Sequence, residues 1–380
     1  MQIADAKRAP ERLLTWAPLL TGLAASYGPI AYNYGIALYF LSYAHGFVKR
    51  GLVGELFLPF AHFSAGGLRT IQFAFTFALF AATYWVFREL LFGSTQDRVF
   101  AGVLLAGPAI FSHIAIMFEQ PDVTLLLLLL VIAAAFMRLN PTTAAFVSTL
   151  LSCVALLAHE GYSLALYPFV VATLWIACRQ SRLAWWIAVL QVALVTAAFL
   201  AILHFGTLRV APEVILADAA RRSDVPIQRQ VFDVMHSTLA QQQQLVAHFY
   251  AGHDFRILLA VSLAFTLPYA WLLLQLLRRV LRALHATTLD LVILCALFLT
   301  PLALCAFGHD VGRWQSDCAI DATFFLLVLA VTDQRARAEL RAWASDSTPL
   351  LWLAWFLLLG PIDATSLRSV AHMSVLWAGN

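Results

Sequence analysis

Charge is scarce in this chain. Asp, Glu, Lys and Arg make up 12% of its 380 residues, against roughly a quarter in soluble domains. The formal net charge is +3, from 24 basic residues, nearly all arginine, and 21 acidic ones. So small an excess argues against nucleic acid as a partner. The five cysteines (Cys153, Cys178, Cys295, Cys305 and Cys318) show no CxxC or zinc spacing, and they read as small core hydrophobes. GxSxG, Walker A, HExxH and a dinucleotide-binding glycine loop are all missing, which removes the common soluble catalytic signatures. Alternating barrel strands and a defensible internal repeat are missing too.

What the chain has in abundance is apolar length. Hydrophobic residues reach 62% and the mean hydropathy is +0.80. Several runs approach the ~20 residues that cross a hydrocarbon core as a helix, and backbone groups in lipid are satisfied only within helices or closed barrels. The expected fold is all-α, a polytopic transmembrane bundle of about eleven spans with a large extracytoplasmic loop, forming one integral membrane domain over residues 1–380. A first crossing lies within Leu13–Ala44, broken at Gly28-Pro29, with the basic Lys7, Arg8 and Arg12 ahead of it as the start of an uncleaved helix. The others are Leu68–Leu91, Phe100–Phe118, Val123–Met137, Thr143–Ala158, Tyr162–Ala177, Leu183–His204, Ile257–Leu277, Leu289–Phe307, Trp314–Thr332 and Leu350–Ile362.

Arginine clusters in short connections, Arg278, Arg279 and Arg282, then Arg335, Arg337 and Arg341, place those connections and the N-terminus in the cytoplasm. The hydrophilic stretch 206–255 then lies outside. It carries Arg221 and Arg222 and the apolar Val231, Met235, Leu239 and Leu245. We expect short amphipathic helices there, resting on the membrane or capping a cavity as a lid.

On this topology the charges that interrupt the apolar runs gather at the outer face, and intramembrane charge is a functional-site signal by default. Lys49 and Arg50 can hold a phosphate, arginine by a bidentate fork and lysine as a point charge; an interfacial helix with Glu55 paired to arginine is an equal reading. His159-Glu160-Gly161 separates two apolar runs of about sixteen residues, somewhat short for full crossings. A partly desolvated Glu160 there is expected to have a raised pKa suited to a general acid or base, with His159 as alternative base or orienting group. The plainer reading is a polar turn with Glu160 paired to an arginine. In the third cluster, His309 and Asp310 precede Arg313, Asp317 and Asp321, whose i, i+4, i+8 spacing puts them on one helix face. Asp321 then sits about 12 Å deeper than Arg313. Asp310 is a candidate to activate a hydroxyl, orient a sugar or bind a divalent metal, although no diagnostic ligand spacing supports a metal. Glu119 joins the set beside Asp122, which is explained as a helix cap.

Arg50, Arg313 and, from the outer stretch, Arg221 or Arg222 are the candidates to bind phosphate, and such arginines beside carboxylates and histidine suit a lipid-linked phosphate donor and glycosyl transfer. The span count, the outer loop and the outward Arg50, Glu160, His159, Asp310 and Arg313 clusters resemble membrane-embedded GT-C-type glycosyltransferases, especially Wzy-type O-antigen and exopolysaccharide polymerases. The resemblance is architectural. It implies a bacterial inner-membrane enzyme of envelope polysaccharide synthesis, taking an undecaprenyl-phosphate or -diphosphate sugar and working beside other envelope-biosynthesis proteins. The acidic pair of many GT-C first outer loops is replaced by Arg50 and Glu55, which favours the polymerase or ligase branch. The rival readings are a transporter or flippase for a lipid-linked sugar or organic anion, and a non-enzymatic subunit of an envelope complex.

Overall fold

The computed structural model describes residues 14–22, 34–60, 62–111, 122–227, 229–237, 239–308, 310–346 and 348–359. Most of the described residues are helical and none of them lies in a strand; an isolated parallel bridge joins Phe63 to Ser223. Residues 14–22 are helical. The longer helices that follow are α1 (Gly51–Phe57), α2 (Ala65–Val86), α3 (Thr95–Leu105), α4 (Asp122–Arg138), α5 (Pro141–Ala158), α6 (Tyr167–Arg179), α7 (Trp185–Phe205) and α8 (Pro212–Arg222). After them come α9 (Arg229–His236), α10 (Leu239–Ala251), α11 (His253–Ala283), α12 (Thr288–Phe298), α13 (Val311–Thr332), α14 (Gln334–Ala344) and α15 (Thr348–Leu359).

Five of the described helical segments are long and apolar enough to cross a membrane: Ala65–Val86, Pro141–Ala158, Trp185–Phe205, Thr288–Ala306 and Val311–Thr332. The 21 residues of α7 extend about 31 Å, the thickness of a hydrocarbon core. That helix is apolar all round, and Trp186, Val189, Leu194 and Leu200 are exposed on it, as lipid-facing side chains are. In α13, by contrast, 83% of the span is buried. The expected span Tyr162–Ala177 is interrupted: one turn, Tyr162–Ala165, ends at Leu166 before α6 begins. Pro168 sits in the first turn of α6, where its missing N–H costs nothing.

The described chain divides into two compact units, one of Pro29–Leu79 with Met117–Val246, the other of Met1–Gly28, Phe80–Ile116 and Ala247–Asn380. In the first, α5 packs against α4 and α7, and the buried Gln191 of α7 donates to Ser148 Oγ at 2.9 Å. Helices α8 and α9 lie in the stretch expected as an outer loop. Their Ile215, Val231, Phe232 and Met235 share a buried cluster with Leu38, Leu41, Val48 and Leu208. Those helices therefore complete the core around the segment before α1.

In the second unit, α13 packs on α11, and α14 on α3, α11 and α13. Asp97, fully buried, ties this unit together. It closes a capping box with Ser94 at the start of α3. Its Oδ1 accepts from Arg337 Nε at 3.0 Å and Arg341 Nε at 2.8 Å, and its Oδ2 from their Nη2 atoms at 2.9 and 2.6 Å. Burial pushes the carboxyl pKa up, but hydrogen bonds from Arg341, Arg337 and Ser94 outweigh it and hold the group well below the usual carboxylate range.

Candidate functional site

The segment leading into α1 is shaped by backbone contacts before any side chain acts. Ser42 caps the short turn Tyr43–His45, and Gly46 follows at φ 92°. Lys49 N–H donates to Gly206 O at 2.8 Å, and Gly51 N–H to Val48 O at 3.2 Å. Between them Arg50 takes a left-handed conformation, φ 64° and ψ 10°, which costs a non-glycine residue about 1–2 kcal/mol. The turn is held from both sides. Tyr43 N–H donates to Glu55 Oε2 at 2.9 Å, so Glu55 clasps α1 to the preceding turn. Gly54 lies so close to the Leu41 carbonyl that a Cβ at that position would collide with it.

This geometry aims Arg50 at the bend after α5. Arg50 Nε donates to Glu160 Oε2 at 2.8 Å and Nη2 to Oε1 at 2.6 Å, a bidentate fork. Lys49 Nζ lies 3.9 Å from the same Oε1. The Arg50, Lys49 and Glu160 side chains are only 15%, 17% and 12% exposed. Glu160 is placed by the end of α5: His159 is extended at φ −163°, and Gly161 N–H donates to His159 Nδ1 at 2.9 Å. That bond assigns His159 Nδ1 as an acceptor, so the ring hydrogen sits on Nε2.

The expected rise in the Glu160 pKa is corrected by this arrangement. Burial does push the carboxyl up, but the charge and hydrogen bonds of Arg50 lead the neighbouring groups that override it, and the group falls well below the usual carboxylate range. Lys49 is lowered, first by burial, with Glu160 opposing and Arg50 adding to the shift. The plainer reading of the sequence, Glu160 paired to an arginine, is the one observed; that the partner is Arg50, 110 residues away, with Lys49 beside it, was not legible.

The remaining candidates fall elsewhere. Arg222 Nη2 lies 3.3 Å from both Phe57 O and Phe60 O, and its guanidinium stands 5.5 Å from the Phe40 ring centroid. It thus clamps the C-terminal end of α1. Arg221 is 75% exposed and bonds Asp218 at 3.1 Å. In the second unit, Arg313 Nη1 lies 3.9 Å from Asp310 Oδ2. Below it on α13, Asp317 and Asp321 are buried. Gln315 on the same helix accepts from Thr266 Oγ1 at 3.1 Å. Among the described residues no group of three or more His, Cys, Asp or Glu is placed to hold a metal ion. Glu119, His309, Lys7, Arg8, Arg12 and Gly28-Pro29 lie outside the described residues. The Asp97 knot was not singled out in the sequence, although Ser94-x-x-Asp97 is a readable capping pattern.

Comparison with known protein families, with curated proteins and with solved structures gave no match.

Proposed function

We propose that this chain is a polytopic membrane glycosyltransferase of the polysaccharide-polymerase kind, acting on an undecaprenyl-phosphate- or -diphosphate-linked sugar at the outer face of a bacterial inner membrane. On this reading about eleven crossings place the N-terminus inside, and the segment 206–255 covers the site from outside. The observation that carries the proposal is the Lys49-Arg50-His159-Glu160 group. A bidentate arginine and a lysine converge on one small, mostly buried anion, and a carboxylate has the same planar pair of acceptors that a phosphate offers.

Glu160 therefore stands in for substrate. When a lipid diphosphate takes the Arg50 fork, Glu160 loses the neighbours that hold its pKa down and becomes a stronger base. It then removes the proton of the acceptor hydroxyl, whose oxygen bonds to the anomeric carbon. The bond from that carbon to the lipid diphosphate breaks, and the leaving group keeps the electron pair, stabilised by Arg50 and Lys49. His159, with its hydrogen on Nε2, donates to the substrate in this scheme, which leaves the base role to Glu160.

Arg50→Gln and Glu160→Gln in the native host, read as surface polysaccharide on gels, test the proposal. Loss of long polymer with normal membrane expression is expected; full-length polymer from both variants overturns it. A second reading, transport of a lipid-linked sugar or organic anion, is favoured by Asp317 and Asp321 within the most buried of the five spans, since transporters place binding groups inside the bilayer. It predicts accumulation of labelled substrate in vesicles without transfer.

A further inference from the structure

We propose that the second unit holds the phosphodiester headgroup of an anionic membrane lipid where the C-terminal end of α11 meets α14. A cavity of about 370 Å³ lies there, lined by Arg279, Arg282, Ala283 and Glu339. The exposed face of α11 runs through Leu263, Leu267 and Trp271 to Gln275, Arg278 and Arg282, a spacing of three or four residues that keeps them on one side of the helix. Its outer surface thus passes from hydrocarbon-compatible to basic within a few turns, the profile of a helix leaving the bilayer core for the headgroups. Arg278 stands 5.9 Å from the ring centroid of Trp271. Arg88 stands in the same way 5.4 Å from Trp85. The two pairs belong to the same end of this unit, because Arg337 of α14 bonds Asp97 and reaches the carbonyl of Glu89, next to Arg88.

Charge supplies the argument for an occupant. Asp97 engages Arg337 and Arg341. Among the described residues no carboxylate comes within ion-pair distance of Arg278, Arg279 or Arg282. Two guanidinium groups, Arg279 and Arg282, line the pocket with one carboxylate, Glu339, so the pocket has an excess of positive charge that an anion completes. Glu339 also sets the kind of anion. A singly charged phosphodiester with its acyl chains along Leu263, Leu267 and Trp271 fits beside it, whereas a free phosphate dianion has no apolar partner and meets like charge. This site is independent of the transfer reaction.

Native mass spectrometry of the full chain released from mixed phosphatidylcholine and phosphatidylglycerol nanodiscs tests it. Wild-type protein and Arg313→Gln are expected to retain phosphatidylglycerol in preference to phosphatidylcholine. The double variant Arg279→Gln/Arg282→Gln is expected to lose that preference about tenfold. Arg279→Lys/Arg282→Lys, which keeps the charge, is expected to retain it in part and guards against misfolding. Equal retention by the Gln double variant overturns the proposal. So does displacement of the lipid by inorganic phosphate, which identifies a free-anion site.

Discussion

Replacing Glu160 by Gln removes the charge that occupies the Arg50 fork and leaves the shape nearly intact. Arg50 makes two charge-assisted bonds to Glu160, at 2.8 and 2.6 Å, each contributing about 1.5–3 kcal/mol net. A glutamine oxygen retains one neutral bond of about 0.5–1.5 kcal/mol. The side chains are 15% and 12% exposed, so the lower part of that range applies and the difference is about 2–3 kcal/mol. An incoming diphosphate must displace Glu160 in the wild type and escapes most of that cost in the variant. Farnesyl diphosphate, titrated calorimetrically into detergent-solubilised protein, should therefore bind E160Q roughly 30- to 150-fold more tightly than wild type, while turnover is lost. Without ligand, E160Q should melt at a lower temperature, because Arg50 and Lys49 keep their charges in a mostly buried place, and ligand should restore the loss. Equal or weaker binding by E160Q would falsify the idea that Glu160 holds the substrate's place.

Asp97→Ala removes two arginine forks and a helix cap. With Arg341 40% exposed the loss is discounted to about 3 kcal/mol, visible as a lower melting temperature by scanning fluorimetry; an unchanged temperature refutes the structural role. Arg337→Gln should cost more than Arg341→Gln, since Arg337 is 15% exposed. The folded pKa values of Glu160 and Asp97 both lie below their ordinary 4.5 and 3.8, so their stabilising contributions are complete above those values. Melting temperature should hold from neutral pH to about 5 and fall as the pH drops through and beneath the ordinary carboxylate range, with E160Q removing the part that begins near 4.5. A rise in stability on acidification contradicts that sign. Gly54→Val drives a side chain into Leu41 and should weaken diphosphate binding by shifting Arg50, whereas Gly66→Ala, with open space around it, should leave both binding and melting unchanged.

Apolar length made several helices readable in advance. Leu183–His204 and Trp314–Thr332 lie close to α7 and α13 as observed, because a run apolar all round has few alternatives in lipid. The break at Leu166 was harder, since the apolar pattern continues across it and Pro168 alone marks the restart. Lys49, Arg50, His159 and Glu160 each stood out as costly residues in apolar surroundings. Their convergence depends on the left-handed Arg50 and the close Gly54–Leu41 approach, which no periodicity encodes. The same limit hid Asp97: its cap on Ser94 is local, but its two arginines come from a helix more than two hundred residues later. Arg222 has no local signature of its role either, because it acts on backbone carbonyls of α1.

The Asp97 knot joins positions 240 residues apart in the chain. At ordinary rates of synthesis, about 5–20 residues per second, α3 waits roughly 10–50 s for its arginines to leave the ribosome. Throughout that interval Asp97 must remain hydrated at the membrane surface or carry a proton, since an isolated charge cannot enter the core. The second unit therefore closes late, after most of the other helices have been made. A nascent chain stalled before Arg337 would present a membrane-quality protease with an unlocked bundle, and arrival of α14 would be the step at which this half of the protein becomes resistant to degradation.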